Sequence, residues 1–256
     1  MFSRIADWIA NDQARRGMNW EHWHKGYNVE PGMQARLRLV REQAGRLLQE
    51  HPPGPFQIIS LCSGDSRDLL GLLRQHPRRE DVTAWLLDTD RASLDRGRTA
   101  AEQAGLARQC HFIQADAASA RSYLEKIPAD LVLISGVFGH LRPADVARLI
   151  EGLPMLCRTG GHVIWNRHLV HNDGGAQMPV IREWFRAAGF DEVEFQTTAP
   201  DGYAVGCARF TGAMQPLDPA RVFFEFVGVD LLTGAEPPVR KRRKTLKQRL
   251  ASLFGR

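Results

Sequence analysis

The chain has 256 residues, 43% of them hydrophobic and 25% charged, enough for one large core with appendages. Its apolar runs are of strand length, too short for a membrane span, and Arg4, Asp7, Asn11 and Asp12 interrupt the N-terminal apolar residues, which excludes a signal-peptide core. The expectation is a cytosolic protein. The net charge is +5, but eight Lys and Arg with no acid lie between Arg240 and Arg256; removing those eight from the 34 basic residues leaves 26 against 29 acidic ones, so the basic character belongs to the tail.

Cys62, Cys110, Cys157 and Cys207 are scattered without a CxxC pair or a nearby His at ligand spacing. Neither a metal site nor a disulfide framework is expected, only reduced thiols.

Taken in chain order, residues 1–50 read as helical, clearest in LRLVREQAGRLLQEH, where Leu37, Val40, Leu47 and Leu48 approximate one stripe. HPPGP at 51–55 ends that segment. Apolar β-type runs follow at 57–61 (QIISL), 82–88 (VTAWLLD), 109–116 (QCHFIQAD), 130–135 (DLVLIS) and 162–166 (HVIWN). Each of the first four precedes a segment able to form a helix, which predicts a doubly wound α/β domain with a mostly parallel sheet. PVIREWFRAAGF predicts a helix starting near Met178 and ended by Gly189, and DEVEFQTT and YAVGCARF predict two strands around a Pro-Asp-Gly turn, forming an antiparallel edge. The divisions expected are an N-terminal helical segment (1–50), an α/β domain (51–231) and a linker with basic tail (232–256).

Ligands of open α/β sheets sit beyond the carboxyl ends of the strands. After the first strand comes SLCSGDSRD, where Gly64 lets a ligand approach free helix N-terminal amides. The second strand ends in Asp88 with Thr89 and Asp90, a carboxylate able to accept both hydroxyls of a ribose. The third ends in Asp116 with Ala117 and Ala118, suited to an adenine amino group and a flat ring. The fourth leads into SGVFGH, Ser135 to His140. Any one of these acids alone would serve as a helix cap; together they point to a nucleoside-containing ligand. Where a dinucleotide site has GxGxxG, this chain has one glycine, and Asp65 and Asp68 would repel a pyrophosphate. An amino acid tail could instead set its ammonium on an acid and its carboxylate on Arg67, which favours S-adenosylmethionine over NAD.

The ordered set SLCSGDSRDLL, WLLDTD, IQADAA, ADLVLISGVFGH, GGHVIWNRH, IREWFRAAGF and YAVG resembles the class I S-adenosylmethionine-dependent methyltransferases, in particular a bacterial group with an SLCxGDGRD-like first motif. The resemblance covers roughly residues 20–210. It implies seven strands with the last antiparallel, and cofactor contacts at Cys62, Ser63, Gly64, Asp88, Asp116 and Gly136. It also implies substrate contacts at Asn166, Arg167 and His168, a methyl-proximal position for His140 as pocket residue or base, and an N-terminal lid carrying Trp23, His24 and Tyr27. The chain departs from common members by having Ser60, Cys62 and Ser66 where those have an acid and glycines. The expected activity is methyl transfer to a small-molecule acceptor without a metal. A nicotinamide-dependent oxidoreductase and a non-catalytic binding module are the rival readings. The stretch Arg240 to Arg256, with Leu246, Leu250, Leu253 and Phe254 on one face, would suit an anionic membrane surface or nucleic acid.

Overall fold

The computed structural model describes residues 31–170, 173–199 and 202–227. The expected lid residues Trp23, His24 and Tyr27 and the basic tail lie outside them. The elements, in order, are α1 (Pro31–Glu50), β1 (Phe56–Leu61), α2 (Arg67–Leu73), β2 (Val82–Asp88), α3 (Arg91–Gln103), β3 (Cys110–Gln114), β4 (Ala129–Ile134), α4 (Pro143–Gly152), β5 (Cys157–His168), α5 (Gly174–Ala187), β6 (Phe190–Thr197) and β7 (Tyr203–Phe210).

The seven strands form one sheet in the order β3-β2-β1-β4-β5-β7-β6. β1 pairs in parallel with β2 and β4, β2 with β3, and β4 with β5. β7 runs antiparallel between β5 and β6, as the alternation and the closing strand pair predicted. Strand alternation sends successive side chains to opposite faces. On β4, Leu131 and Leu133 join the cluster holding Val40, Leu48, Leu73 and Leu94 from α1, α2 and α3. Val132 and Ile134 join the other, with Val146, Leu149, Ile181 and Phe185 from α4 and α5. Both faces are thus covered, which is why β4 is buried along its whole length.

Three expectations are corrected. No α-helix follows β3: residues 115–128 hold only a 3-10 turn, Ala120–Tyr123, and the helix's place is filled by the chain returning from β7. Ser119 bridges Val222, Phe223 donates its N–H to the Ala118 carbonyl, and Phe223, Phe224 and Phe226 are buried there. β5 is longer than the expected 162–166 and begins at Cys157, because Gly160 and Gly161 stay within the strand; a Cβ at Gly161 would come within 2.9 Å of the Ala129 carbonyl oxygen. α5 begins at Gly174 rather than near Met178 and carries Pro179 inside. Its start is set by packing, since a Cβ at Gly174 would lie 1.8 Å from the His168 carbonyl oxygen, and Gly175 donates to the Leu169 carbonyl.

Candidate active site

At the carboxyl ends of β1 to β4 lies a cleft that is partly open to solvent. All twelve residues expected to face a cofactor line it: Cys62, Ser63, Gly64, Asp65, Arg67, Asp68, Asp88, Thr89, Asp116, Ala117, Ser135 and Gly136. Leu37, Asp90, Ser93 and Phe226 complete the lining.

The turn after β1 is tightly wound. Cys62, Gly64 and Ser66 all adopt left-handed backbone, with φ of 49°, 56° and 52°. Ser63 donates its N–H to the Leu87 carbonyl, which fastens the turn to β2, while its hydroxyl oxygen is buried without a hydrogen-bond partner. Ser66 heads α2 but its side chain makes no cap hydrogen bond.

Asp88 joins this turn to the next. One carboxylate oxygen accepts the Gly64 N–H at 2.8 Å and the other the Asp90 N–H at 2.8 Å. Burial raises its pKa above the ordinary carboxylate value, against the lowering pull of those backbone donors. Each oxygen keeps a second lone pair, so a ligand with two adjacent hydroxyls finds two acceptors in fixed positions. Asp90 caps α3 through Ala92 and Ser93. Asp116 folds its carboxylate onto the Ala118 N–H at 3.1 Å, and its carbonyl accepts the Ser122 hydroxyl.

Arg67, expected to take the carboxylate of an amino acid tail, is bound to Asp65, with Arg67 Nε 3.0 Å from an Asp65 oxygen. Asp68 is buried and accepts its neighbour's Leu69 N–H at 2.8 Å.

The acceptor candidates form a separate group outside the cleft lining. Asn166, 1% exposed, accepts the Gly136 N–H at 2.9 Å and donates to the Ser135 hydroxyl at 3.0 Å, so it fixes the loop after β4. Arg167 is buried and donates to the Phe138 carbonyl at 2.5 Å. His168 accepts the Val170 N–H and meets the Tyr203 ring edge to face at 4.7 Å. His140 is neither an exposed loop residue nor part of the lining. It is 3% exposed and stacks on Phe226 with ring centroids 5.0 Å apart. Burial, with Arg36 and Arg167 nearby, lowers its pKa to about 4, so it is neutral at physiological pH.

Leu37 and Phe226 are lining residues that sequence reasoning missed. Leu37 belongs to the buried stripe of α1 and reads as ordinary core; Phe226 reaches the site only through the return of the chain from β7. Among the described residues, no group of three or more His, Cys, Asp or Glu could hold a metal ion, and no helix is long and apolar enough to cross a membrane.

Residues 58–161 match a family model described as "Methyltransferase domain". The chain is 25% identical over 195 residues to the tRNA 5-carboxymethoxyuridine methyltransferase of Escherichia coli (strain K12), a match covering 74% of this chain and 65% of that protein. In structure it is similar to the Synechocystis PCC 6803 magnesium protoporphyrin IX methyltransferase with bound S-adenosylmethionine, with a TM-score of 0.60 and 13% identity over 80% of this chain and 96% of that one. It is also similar to an O-methyltransferase family protein from Burkholderia thailandensis, with a TM-score of 0.59 and 15% identity over 82% of this chain and 70% of the other. The family match runs from β1 into β5 and so contains the turns after β1 to β4 that line the cleft.

Proposed function

We propose that the protein transfers a methyl group from S-adenosylmethionine to a small-molecule acceptor. The observation that carries this reading is Asp88, whose two oxygens are oriented by the Gly64 and Asp90 amides in the wall of the cleft. In this reading Asp88 takes the ribose hydroxyls, Asp116 the adenine amino group, and Ala117 the face of the ring. Ser63, with its buried, unpartnered hydroxyl, and Gly64 flank the ligand at the turn, with Cys62, Asp65, Arg67, Asp68 and Thr89 around it. Ser135 and Gly136, held by Asn166, bound the cleft at the β4 end.

The bound cofactor would supply an electrophilic methyl on a sulfonium, so the chain's task is to align an acceptor in line with the departing sulfur. An already anionic acceptor needs no base. For a neutral one, His140 is the candidate base: it has the required neutral form, although a pKa of about 4 makes it a weak one. Arg167, His168 and Asn166 are proposed to position the acceptor, with Trp23, His24 and Tyr27 of residues 1–50 as a lid over the 51–231 domain. We take the cytoplasm as the working location and residues 232–256 as a docking tail for anionic surfaces. A tRNA nucleoside as acceptor is a second reading, favoured by the similarity to a tRNA methyltransferase.

Calorimetric titration with S-adenosylmethionine, S-adenosylhomocysteine and NAD tests the cofactor. Micromolar affinity for the first two with none for NAD is the expected result. Binding of NAD alone would replace this reading with an oxidoreductase, and binding of none with a non-catalytic module.

A further inference from the structure

A second groove lies between α1, α2 and α3 and shares Leu37, Asp65 and Arg67 with the cleft. Among the described residues, its charged lining is four guanidiniums, of Arg41, Arg67, Arg74 and Arg96, and one carboxylate, of Asp65. Asp65 is bound to Arg67. Arg41 and Arg96 meet neutral oxygens: Arg41 donates to the Asp68 and Arg67 carbonyls at 3.3 and 2.7 Å, and Arg96 to the Ser93 hydroxyl at 2.7 Å. The exposed Arg74 side chain has no hydrogen-bond or ion-pair partner among the described residues. Glu42 and Asp95, on the same helices, lie outside the lining and pair with Arg38 and with Arg91 and Arg98. Gly71 gives Arg41 its bed, since a Cβ there would stand 2.4 Å from the guanidinium carbon.

Like charges gathered without a carboxylate favour an anion between them, and phosphate matches the guanidinium fork. Arg67 and Arg74 are seven residues apart, about 10 Å along α2, and Arg41 and Arg96 come from the other two helices. That spread suits a row of phosphates better than one, and a groove admits a strand where a flat membrane would touch only its rims. No aromatic ring lines it among the described residues, so base stacking is not on offer and contacts would be to the backbone, without sequence preference. We propose that this groove binds a single nucleic acid strand through its phosphates, beside the cleft. The proposal concerns docking alone and goes beyond the methyl-transfer reading.

The test is fluorescence anisotropy of a labelled oligouridylate of about 12 nucleotides with the full chain, over a salt series. The variant is Arg74→Gln with Arg96→Gln, which spares Arg41, a brace of α2, and Arg67, a residue of the cleft. Its control, Arg121→Gln with Arg209→Gln, removes the same charge at exposed positions outside the groove. Both keep the basic tail, and circular dichroism shows that each is folded. At about 0.7 per phosphate contact on a single strand, the groove variant should flatten the slope of log affinity against log salt by about 1.4 and lose tenfold or more at about 0.1 M salt. Arg74→Gln alone, whose side chain braces nothing, should give half that change in slope.

These losses, with the control within a factor of three, support the proposal. Equal losses in variant and control, unchanged affinity in the variant, or no binding by the unaltered chain overturn it. So does displacement of the strand by millimolar inorganic phosphate at constant ionic strength, which would mark a site for one phosphate group. Loss of binding to phosphatidylserine vesicles with the strand unaffected would overturn it in favour of a membrane. None of these outcomes alters the nucleoside titrations, which test the cleft.

Discussion

Replacing Ser66 with glycine should make the protein more stable. Ser66 is 1% exposed, has φ of 52° and ψ of 33°, and buries a hydroxyl that bonds to nothing. A left-handed conformation costs an L-residue about 1–2 kcal/mol, and an unsatisfied buried polar group about 1–3 kcal/mol. Against these gains stand the greater freedom of glycine in the unfolded chain, about 0.5–1 kcal/mol, and one lost Cβ contact, about 0.8 kcal/mol. The net of these terms lies between about 0 and 4 kcal/mol of stabilisation and centres near 2 kcal/mol, or roughly 4–8 °C in Tm for a chain of this size. Urea unfolding and thermal melts followed by circular dichroism measure it. Ser66→Ala separates the two gains, because it removes the hydroxyl but keeps the strained backbone, and should recover only part of the effect. A Ser66→Gly protein that melts at or below the unaltered temperature would refute the reasoning, and a Ser66→Ala protein equal to it would assign the whole gain to the hydroxyl.

Three further outcomes are expected. Asp88→Ala strips acceptors from the Gly64 and Asp90 amides, costing about 1–3 kcal/mol of stability and at least tenfold in affinity for S-adenosylhomocysteine; unchanged calorimetric affinity in a folded variant would remove Asp88 from the site. Gly97→Ala would drive a Cβ to 2.3 Å from the Phe112 ring and 3.1 Å from the Asp65 carbonyl oxygen, so a loss of about 1–3 kcal/mol is expected, read as a lower urea midpoint. His140 titrates near 4 in the folded protein against 6.5 ordinarily; the unfolded chain therefore takes up the proton first as pH falls. The stability tied to its neutral form is complete above pH 6.5 and is lost between 6.5 and 4, by up to about 3 kcal/mol. His140→Phe, which can keep the stack on Phe226, should lose less stability than the unaltered protein over that window, and parallel pH profiles would count against this account.

The strands and the cleft wall were legible because both depend on local pattern. VTAWLLD and YAVGCARF could be read to their ends, since each is an apolar run bounded by polar or turn residues. The residues that line the cleft from Cys62 to Gly136 follow directly after strands, so finding the strand ends located them. What escaped depends on contacts distant in sequence. Nothing local marks Phe226 as a neighbour of Asp116, or makes Gly174 rather than Met178 the start of a helix. His140 sits in a loop of small residues, and its burial against Phe226 beside two arginines from other elements, which keeps it neutral, is not marked locally. The pairing of Asp65 with Arg67 was also hidden: the sequence offered two charges for a ligand, and the fold joins them to each other.

The return of the chain from β7 across to β3 has a consequence in time. The strands that hold Gly64, Asp88 and Asp116 are complete by residue 116, yet Phe226, which walls the same cleft, and Phe223 and Phe224, which fill the place of a missing helix, are made more than a hundred residues later. During synthesis, a nascent chain that had already paired its first strands would still lack one side of its ligand site. Ligand binding should therefore reach its full strength only once the chain has been made through residue 226.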